Sequence, residues 1–216
     1  MIRRPRLAAA ATVAVLALLL FGVRRIGRPS VPAVTVFSAQ NAGRAPATER
    51  SPRTGTPSPA PTPPDDVAQL TSRGLLIPVA GYDPRNLHDD FYERRGGGIR
   101  GHEAIDLLSP RNTPVLAAAD GTIVKLFTSI PGGLTIYEFD PLGRYCFYYA
   151  HLEAYDSALH EGQTVKRGER IGFVGTSGNA PKNTPHLHFA IFKLGPEKRW
   201  WEGTPIDPYP FLAGAR

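Results

Sequence analysis

The chain has almost no cysteine, and it has no net charge outside its N-terminal part. Cys146 is the only cysteine, so no disulfide can form within the chain and there is no Cys-x-x-Cys metal or redox motif. Residues 1–66 hold nine Lys and Arg against three Asp and Glu, whereas residues 67–216 hold sixteen of each. The larger part therefore lacks the basic surface typical of nucleic-acid binders, and we predict no binding to nucleic acid. We interpret Cys146 as a small buried apolar residue.

One apolar segment is long enough to interact with a membrane. Three arginines precede residues 7–23, which contain no charge, and Arg24 and Arg25 end the run. This run is longer than a typical signal-peptide core and sits at the lower limit for a membrane-spanning helix, so its length alone leaves both possibilities open. No small-x-small cleavage site follows directly, which favours an uncleaved segment. We predict an N-terminal apolar helix in residues 1–28 that acts as export signal and membrane anchor.

Proline dominates the next segment. Residues 29–66 contain nine prolines, five of them in residues 57–64. Such a composition cannot bury a core, so we predict a disordered linker over residues 29–66. A polyproline-like tether rises about 3.1 Å per residue and would reach roughly 120 Å at most. It would hold residues 67–216 away from a membrane.

Residues 67–216 show short strand patterns separated by glycine and proline turns, without a long segment of helical periodicity. This pattern predicts a single, mainly β domain. Residues 134–139 alternate like a strand, residues 140–143 have proline and glycine where a turn needs them, and residues 145–150 return. The second strand of this hairpin would deliver His151. Residues 113–124 and 163–174 resemble each other, and each predicts a β-turn-β arm.

Two short motifs carry candidate metal ligands. In an extended strand, residues i and i+2 point to the same face, so His186 and His188 would share a pocket while Leu187 faces the other way. His102 stands four positions before Asp106, in a segment where flanking glycines and proline leave little room for a helix. Neutral imidazole and carboxylate are ordinary zinc ligands, and three of them leave a fourth position for water. An open position is typical of catalytic zinc.

The ordered set of His102 with Asp106, then His151, then His186 with His188 resembles the LytM/lysostaphin family of zinc endopeptidases, which act on bacterial peptidoglycan. The resemblance spans about residues 77–193 and includes framework segments at residues 113–121, 165–172 and 175–179. It implies antiparallel sheets in a barrel-sandwich hybrid, or duplicated hybrid motif. It also implies that His102, Asp106 and His188 bind Zn2+. His151 and His186 would hydrogen-bond the attacking water and the developing oxyanion of the transition state. Ala104 departs from the glycine usual in the family.

The resemblance implies a zinc-dependent endopeptidase that hydrolyses peptide bonds in peptidoglycan stem peptides or cross-bridges. Its partner would be murein peptides, and a regulatory protein partner stays open. Such a protein acts in the cell envelope outside the cytoplasm, in the periplasm or at the cell surface, and the predicted anchor would tie it to the inner membrane. Which peptide bond is cut is left open by the sequence.

Two other functions compete with this interpretation. A catalytically silent relative would bind and activate another cell-wall hydrolase, but such domains lack metal ligands, and here the set is complete. A lipoyl-type carrier needs a lysine at a hairpin tip, and neither Asp120-Gly121 nor Gly168-Glu169 offers one.

Several further side chains are assigned ordinary structural roles. We predict that His88 and His160 are solvated. We predict that the C-terminal aromatic residues pack onto the sheet, with a stacking surface for sugar or peptide as the alternative; these are Trp200, Trp201, Tyr209 and Phe211.

Overall fold

The computed structural model describes residues 61–98 and 100–214. Strands dominate these residues, which confirms the mainly β prediction. The elements in chain order are α1 (Pro64–Arg73), a short 3-10 helix (Pro84–Asn86), β1 (Arg94–Arg95), β2 (Arg100–Gly101), β3 (Ile105–Leu108), β4 (Pro114–Leu116), β5 (Gly121–Ser129), β6 (Gly133–Phe139), β7 (Tyr145–Tyr155), β8 (Thr164–Val165), β9 (Arg170–Val174), β10 (His186–Lys193), β11 (Thr204–Ile206) and α2 (Tyr209–Leu212).

All strand pairs in this part of the chain are antiparallel. Nine strands form one sheet with the order β11-β10-β7-β6-β5-β8, in which β3 also pairs with β10, and β9 pairs with both β7 and β4. β1 and β2 form a separate two-stranded sheet. The central strand β10 therefore lies between β3 and β7 at its N-terminal end, and this arrangement positions the histidines that β10 carries.

The predicted hairpin is confirmed as β6 and β7. The Asp140 side chain organises its turn, because Oδ1 accepts hydrogen bonds from the backbone N–H groups of Arg144 at 2.6 Å and Tyr145 at 2.7 Å. Gly143 has φ of 60°, the left-handed conformation that glycine adopts without steric cost. β7 runs beyond the predicted end at residue 150 and continues through His151 to Tyr155.

The two predicted β-turn-β arms are present as β4 with β5 and β8 with β9. They pair reciprocally: β4 pairs with β9, where Val115 lies opposite Gly172, and β5 pairs with β8, where Gly121 lies opposite Val165. The resemblance between the two segments in sequence therefore corresponds to a resemblance in structure.

Alternation along β10 and β7 separates a core face from the opposite face. Leu187, Phe189 and Ile191 are fully buried against Phe147 and Tyr149. His186 and His188 point to the other face, as predicted for residues two apart on a strand. Cys146 is buried and free, also as predicted.

Helix α1 was not predicted. It begins at Pro64 and therefore crosses the predicted boundary between linker and domain, residues 66 and 67. The buried Asp66 carboxylate accepts hydrogen bonds from the Tyr145 hydroxyl at 2.8 Å and from Lys193 Nζ at 2.7 Å, which ties the helix to β7 and β10. The helix signals were present in the sequence: proline at the first position, two acidic residues in the first turn, and Gly74 as a left-handed C-cap.

The predicted anchor, residues 1–28, and residues 29–60 of the predicted linker lie outside the described residues. Within residues 61–98 and 100–214, no helix combines the length and the apolar character needed to cross a bilayer.

Candidate functional site

Strand register brings the distant metal-ligand candidates together. In the pair of β10 with β3, His188 lies directly opposite Asp106, and in the pair of β10 with β7 it lies opposite Ala150, the residue before His151. Opposed residues of an antiparallel pair have Cβ atoms about 5 Å apart, so the side chains meet on one face. Two antiparallel pairings thus collect residues that are more than 80 positions apart in the sequence.

His102, Asp106 and His188 offer three donor atoms around one point. Asp106 Oδ1 lies 3.0 Å from His102 Nε2 and 3.0 Å from His188 Nδ1, and the two histidine nitrogens lie 3.1 Å apart. Zinc with ligands at about 2.0–2.2 Å in tetrahedral geometry separates neighbouring donors by roughly 3.3–3.5 Å. The observed spacing needs an adjustment of only about 0.3 Å. The three residues therefore fit a zinc ion.

The loop before β3 fixes the orientation of His102. The backbone N–H of His102 donates to the Glu93 carbonyl at 2.8 Å, and its Nδ1 lies 3.1 Å from the Asp90 carbonyl. Because a carbonyl only accepts, Nδ1 donates to it, and Nε2 is the ring nitrogen that can bind a metal once it is deprotonated. A backbone acceptor behind a metal-binding imidazole is a common arrangement that sets its tautomer.

Glu103 adopts φ of 57°, which is unusual for a residue other than glycine. Glu103 borders a neighbouring cleft and not the cleft that the three donors line. Ala104, where the family usually has glycine, is fully buried. It does not belong to the described residues with positive φ. The positive φ falls one residue earlier, so the methyl group of Ala104 is accommodated.

Donor atoms of His102, Asp106 and His188 lie close together, and a positive charge among them stabilises this arrangement. Without zinc, a proton on His102 provides that charge. Burial lowers the pKa of His102, but hydrogen bonds to Asp106 and Asp90 outweigh burial and raise it to about 9. Burial raises the pKa of Asp106, but hydrogen bonds with His102 and His188 hold it well below its usual range. At neutral pH the zinc-free protein therefore holds an imidazolium–carboxylate pair where zinc would bind.

Arg95, which the sequence analysis did not select, borders the same group. One guanidinium nitrogen lies 3.1 Å from Asp106 Oδ2 and 3.4 Å from Asp90 Oδ2. It binds the Asp106 oxygen that does not face the histidines, and so it leaves Oδ1 available for a metal. The spacing of Arg95 along the chain does not identify it as a site residue, because the β1–β2 hairpin positions it.

His151 and His186 border the same cleft, and His186 Nε2 lies 3.8 Å from Asp106 Oδ1. His151 Nδ1 donates to the Ser177 carbonyl at 2.9 Å, and His186 Nδ1 donates to the Thr184 carbonyl at 2.8 Å. Each ring therefore directs the lone pair of Nε2 towards the cleft. The ring centroids lie 5.0 Å apart, and that of His151 lies 5.6 Å from that of His188.

His151 is held in an unusual backbone conformation. Its φ is 61°, and its N–H donates to the Gly132 carbonyl at 2.8 Å. Strained positive φ at a residue other than glycine tends to occur at functional sites, where the surrounding structure enforces it. Burial lowers the pKa of His151 to about 4, with a further contribution from His188, so the imidazole is neutral at pH 7.

The loop that carries the Ser177 carbonyl depends on a close contact between two glycines. A Cβ on Gly178 would collide with the backbone of Gly132 and Gly133, and Gly178 also has φ of 71°. Glycine is therefore required at this point for the loop to approach β6 and present the acceptor to His151.

All five predicted site residues line one open cleft with a volume of about 640 Å³. Arg95, Tyr148 and Thr184 also border it. His88 and His160 are exposed and lie outside it, as predicted. The structure thus brings together every residue that the sequence analysis selected for the site, and it adds the groups that orient them.

The match to a known family agrees with this geometry. Residues 100–208 match the model of Peptidase family M23, and the chain belongs to this family. The family prediction made from the ordered histidines is therefore confirmed.

Individual relatives match over about half of the chain. The L-Ala–D-Glu endopeptidase of Bacillus subtilis is 34% identical over 121 residues, which cover 54% of this chain and 36% of that protein. The peptidoglycan DD-endopeptidase ShyC of Vibrio cholerae is 30% identical over 119 residues, covering 55% and 25%. The chain thus spans about a quarter to a third of the length of these two relatives.

A solved structure supports the fold. The structure of a putative peptidase M23 from Pseudomonas aeruginosa covers 70% of this chain and 61% of its own, with a TM-score of 0.50 and 23% identity. At this level of identity the likeness concerns the fold alone.

Proposed function

We propose that this protein is a zinc-dependent endopeptidase that hydrolyses peptide bonds in bacterial peptidoglycan stem peptides or cross-bridges. One observation carries the proposal: three metal donors converge within 3.1 Å of one another, and two further histidines direct free lone pairs into the same cleft. Membership of Peptidase family M23 supports the same class of reaction.

We assign zinc binding to His102, Asp106 and His188. Two neutral imidazoles and one carboxylate form a ligand set common for catalytic zinc, and they leave one position free. When bound, zinc acts as a Lewis acid on a peptide carbonyl and makes a water acidic enough to attack at neutral pH. Arg95 holds the second carboxylate oxygen of Asp106, so a single oxygen faces the metal position.

We assign proton transfer and the stabilisation of developing charge to His151 and His186. The neutral Nε2 of either ring accepts a hydrogen bond from an attacking water, and the protonated form donates one to a developing oxyanion or to the leaving nitrogen. Their backbone acceptors, Ser177 and Thr184, keep both rings in the required tautomer. Each ring has a backbone acceptor at Nδ1, so either can serve as base, with the other as oxyanion partner.

Peptidoglycan is proposed as the substrate because the name of one relative specifies it. The two relatives' names describe different bonds, L-Ala–D-Glu and DD, so the proposal stops at murein peptides as a class. A silent domain that activates another hydrolase is not favoured, because every donor and both flanking histidines are in place.

We propose that the N-terminal part of the protein determines where the peptidase domain lies in the cell envelope. Residues 1–28 would anchor the protein in the inner membrane, residues 29–66 would act as a spacer, and residues 67–216, together with the start of α1, would form a barrel-sandwich peptidase domain outside the cytoplasm. The reciprocal pairing of the two β-turn-β arms supports the barrel-sandwich assignment.

Mass analysis of fragments released from purified murein by the zinc-loaded full chain tests the proposal. We expect peptide cleavage that a chelator abolishes and added zinc restores. His160→Ala serves as the matched control, because His160 is an exposed histidine outside the cleft. The activator alternative predicts the reverse pattern: no fragments from the isolated protein, and enhancement of a second hydrolase that survives zinc removal.

A further inference from the structure

A second cleft adjoins the candidate site and is lined by aromatic rings. It has a volume of about 990 Å³, larger than the site itself, and its aromatic walls are Tyr137, Tyr148, Phe192, Trp200 and Trp201. Tyr148 borders both clefts, and its ring lies edge-on to His188 with centroids 6.0 Å apart. The two clefts therefore adjoin each other at Tyr148.

The connection between β10 and β11 carries both tryptophans, Trp200 and Trp201. Trp200 packs edge-on against Tyr137 at 4.7 Å, as predicted for a residue packed on the sheet, and Trp201 packs edge-on against Trp200 at 5.1 Å. Trp201 nevertheless stays 43% exposed, so the packing prediction describes Trp200 but not Trp201. An indole exposed beside a cleft leaves a large apolar face for a ligand.

The conformation of this connection is costly to maintain. Lys198 adopts φ of 47°, which is strained for a residue other than glycine. A Cβ on Gly203 would lie 2.8 Å from both Phe192 Cβ and the Lys193 carbonyl oxygen, so glycine is needed for the segment to close against β10. Strain and close approach at both ends of the tryptophan pair indicate that its presentation is built into the fold.

The polar rim of the cleft indicates what kind of ligand fits. Glu103, Arg199 and Glu202 border it, and Arg199 pairs with Glu202 at 3.2 Å, which leaves the rim with one excess carboxylate. Such a rim disfavours the carboxylate-rich stem peptide and suits a neutral ligand with hydroxyl and amide groups, whose apolar faces stack on the rings.

We propose that this aromatic cleft is a glycan subsite that binds N-acetylated sugar units of the strand attached to the peptide being cut. The inference rests on the proposed function, and it assigns the sugar and the peptide of one substrate to adjoining clefts. Trp201 provides the stacking face, while Glu103 and Arg199 provide hydrogen-bond partners for hydroxyl and amide groups.

Tryptophan fluorescence tests the binding without any need for zinc or cleavage. The chain has only two tryptophans, and both line this cleft, so the emission reports on it directly. Chitotetraose, a tetramer of N-acetylglucosamine, should change the emission of the full chain saturably, with and without zinc. Trp201→Ala should weaken binding at least about tenfold, whereas Tyr92→Ala should not, because Tyr92 is a 51% exposed aromatic residue that borders neither cleft.

Three results would overturn the glycan subsite. They are the absence of a saturable change up to about 10 mM sugar, an unchanged affinity in Trp201→Ala, or an equal response to a sugar-free murein stem peptide. The last result would make the cleft a peptide subsite instead.

A kinetic comparison separates this inference from the proposed function. With intact murein, Trp201→Ala should raise KM about tenfold and leave kcat unchanged, and with cross-linked peptides freed of glycan it should change neither. Equal losses on both substrates would reduce Trp201 to a structural role and refute the subsite. If the wild-type protein cleaves neither substrate, the proposed function fails, while the fluorescence result still decides whether the cleft binds sugar.

Discussion

Asp106 and His188 lie directly opposite each other in the antiparallel pair of β3 and β10, with Oδ1 3.0 Å from Nδ1. This relationship shows how an ordinary strand register brings candidate metal ligands together. A shift of one residue would move every side chain of β3 to the other face and remove Asp106 from the site. The fully buried neighbours Ile105 and Leu107 on the core face hold the register in place.

Zinc content should depend on Asp106. We expect about one zinc per wild-type chain, and loss of most of it in Asp106→Asn, with affinity reduced well over tenfold because a charged ligand becomes neutral. Asp83→Asn is the control, since Asp83 pairs only with Arg85 at the surface. Metal analysis of the purified proteins measures the result, and equal zinc in all three would contradict the ligand assignment.

Zinc binding should release about one proton at pH 7. The pKa of His102 is about 9 in the zinc-free protein, so its proton is bound at pH 7 and must leave before Nε2 can bind a metal. The apparent affinity for zinc should accordingly rise as pH increases from 7 towards 9. Calorimetry in two buffers with different ionisation enthalpies measures the released proton, and a binding heat that does not depend on the buffer would disprove the protonated pair.

Replacing either flanking histidine should abolish turnover but not metal binding. His151→Ala and His186→Ala should each keep zinc and fold, yet lose about 10²–10⁴ in rate, the usual worth of a positioned proton-transfer or oxyanion group. Rates are measured on purified murein, with zinc content and circular dichroism as checks. Activity that merely follows the folded fraction would assign both residues to packing.

The buried Glu138 should make stability depend on pH. Burial raises the pKa of Glu138 to about 8, even though Tyr149 donates a hydrogen bond to it at 2.6 Å. The folded state therefore binds this proton more tightly than the unfolded state, so stability should fall as pH rises from about 4.5 to about 8. Glu138→Gln should remove that fall, whereas Glu197→Gln, at an exposed position, should not.

Thermal unfolding between pH 4.5 and 8.5 measures this effect. The difference in Tm between Glu138→Gln and the wild type should grow with pH in favour of the variant. A constant difference would show that Glu138 is already ionised in the folded protein.

Helix α1 should contribute to stability through Asp66. Asp66→Ala should lower the free energy of unfolding by about 2 kcal/mol, because it leaves the buried Tyr145 hydroxyl without its acceptor and removes the partner of Lys193. Asp65→Ala provides a control one residue away, on the exposed side of the same turn. Urea denaturation compares the two variants, and equal effects would contradict a stabilising role of the Asp66 hydrogen bonds.

The hairpin of β6 and β7 and the shared face of His186 and His188 followed from the sequence, because alternation and turn chemistry are local properties. The five site residues followed from their order in the chain, which resembles that of a known family. Helix α1 was accessible in principle from its capping residues, but the adjoining proline-rich composition obscured it.

What the sequence determined by itself was therefore the kind of domain, the family and the set of candidate site residues. The tertiary structure alone decided how they are used: which oxygen of Asp106 faces the histidines, that Arg95 holds the other, and that backbone carbonyls orient His151 and His186. It also decided that Trp201 stays exposed beside the site. These features depend on strand register, positive φ angles and contacts between segments far apart in the chain, and no local pattern of residues encodes such contacts.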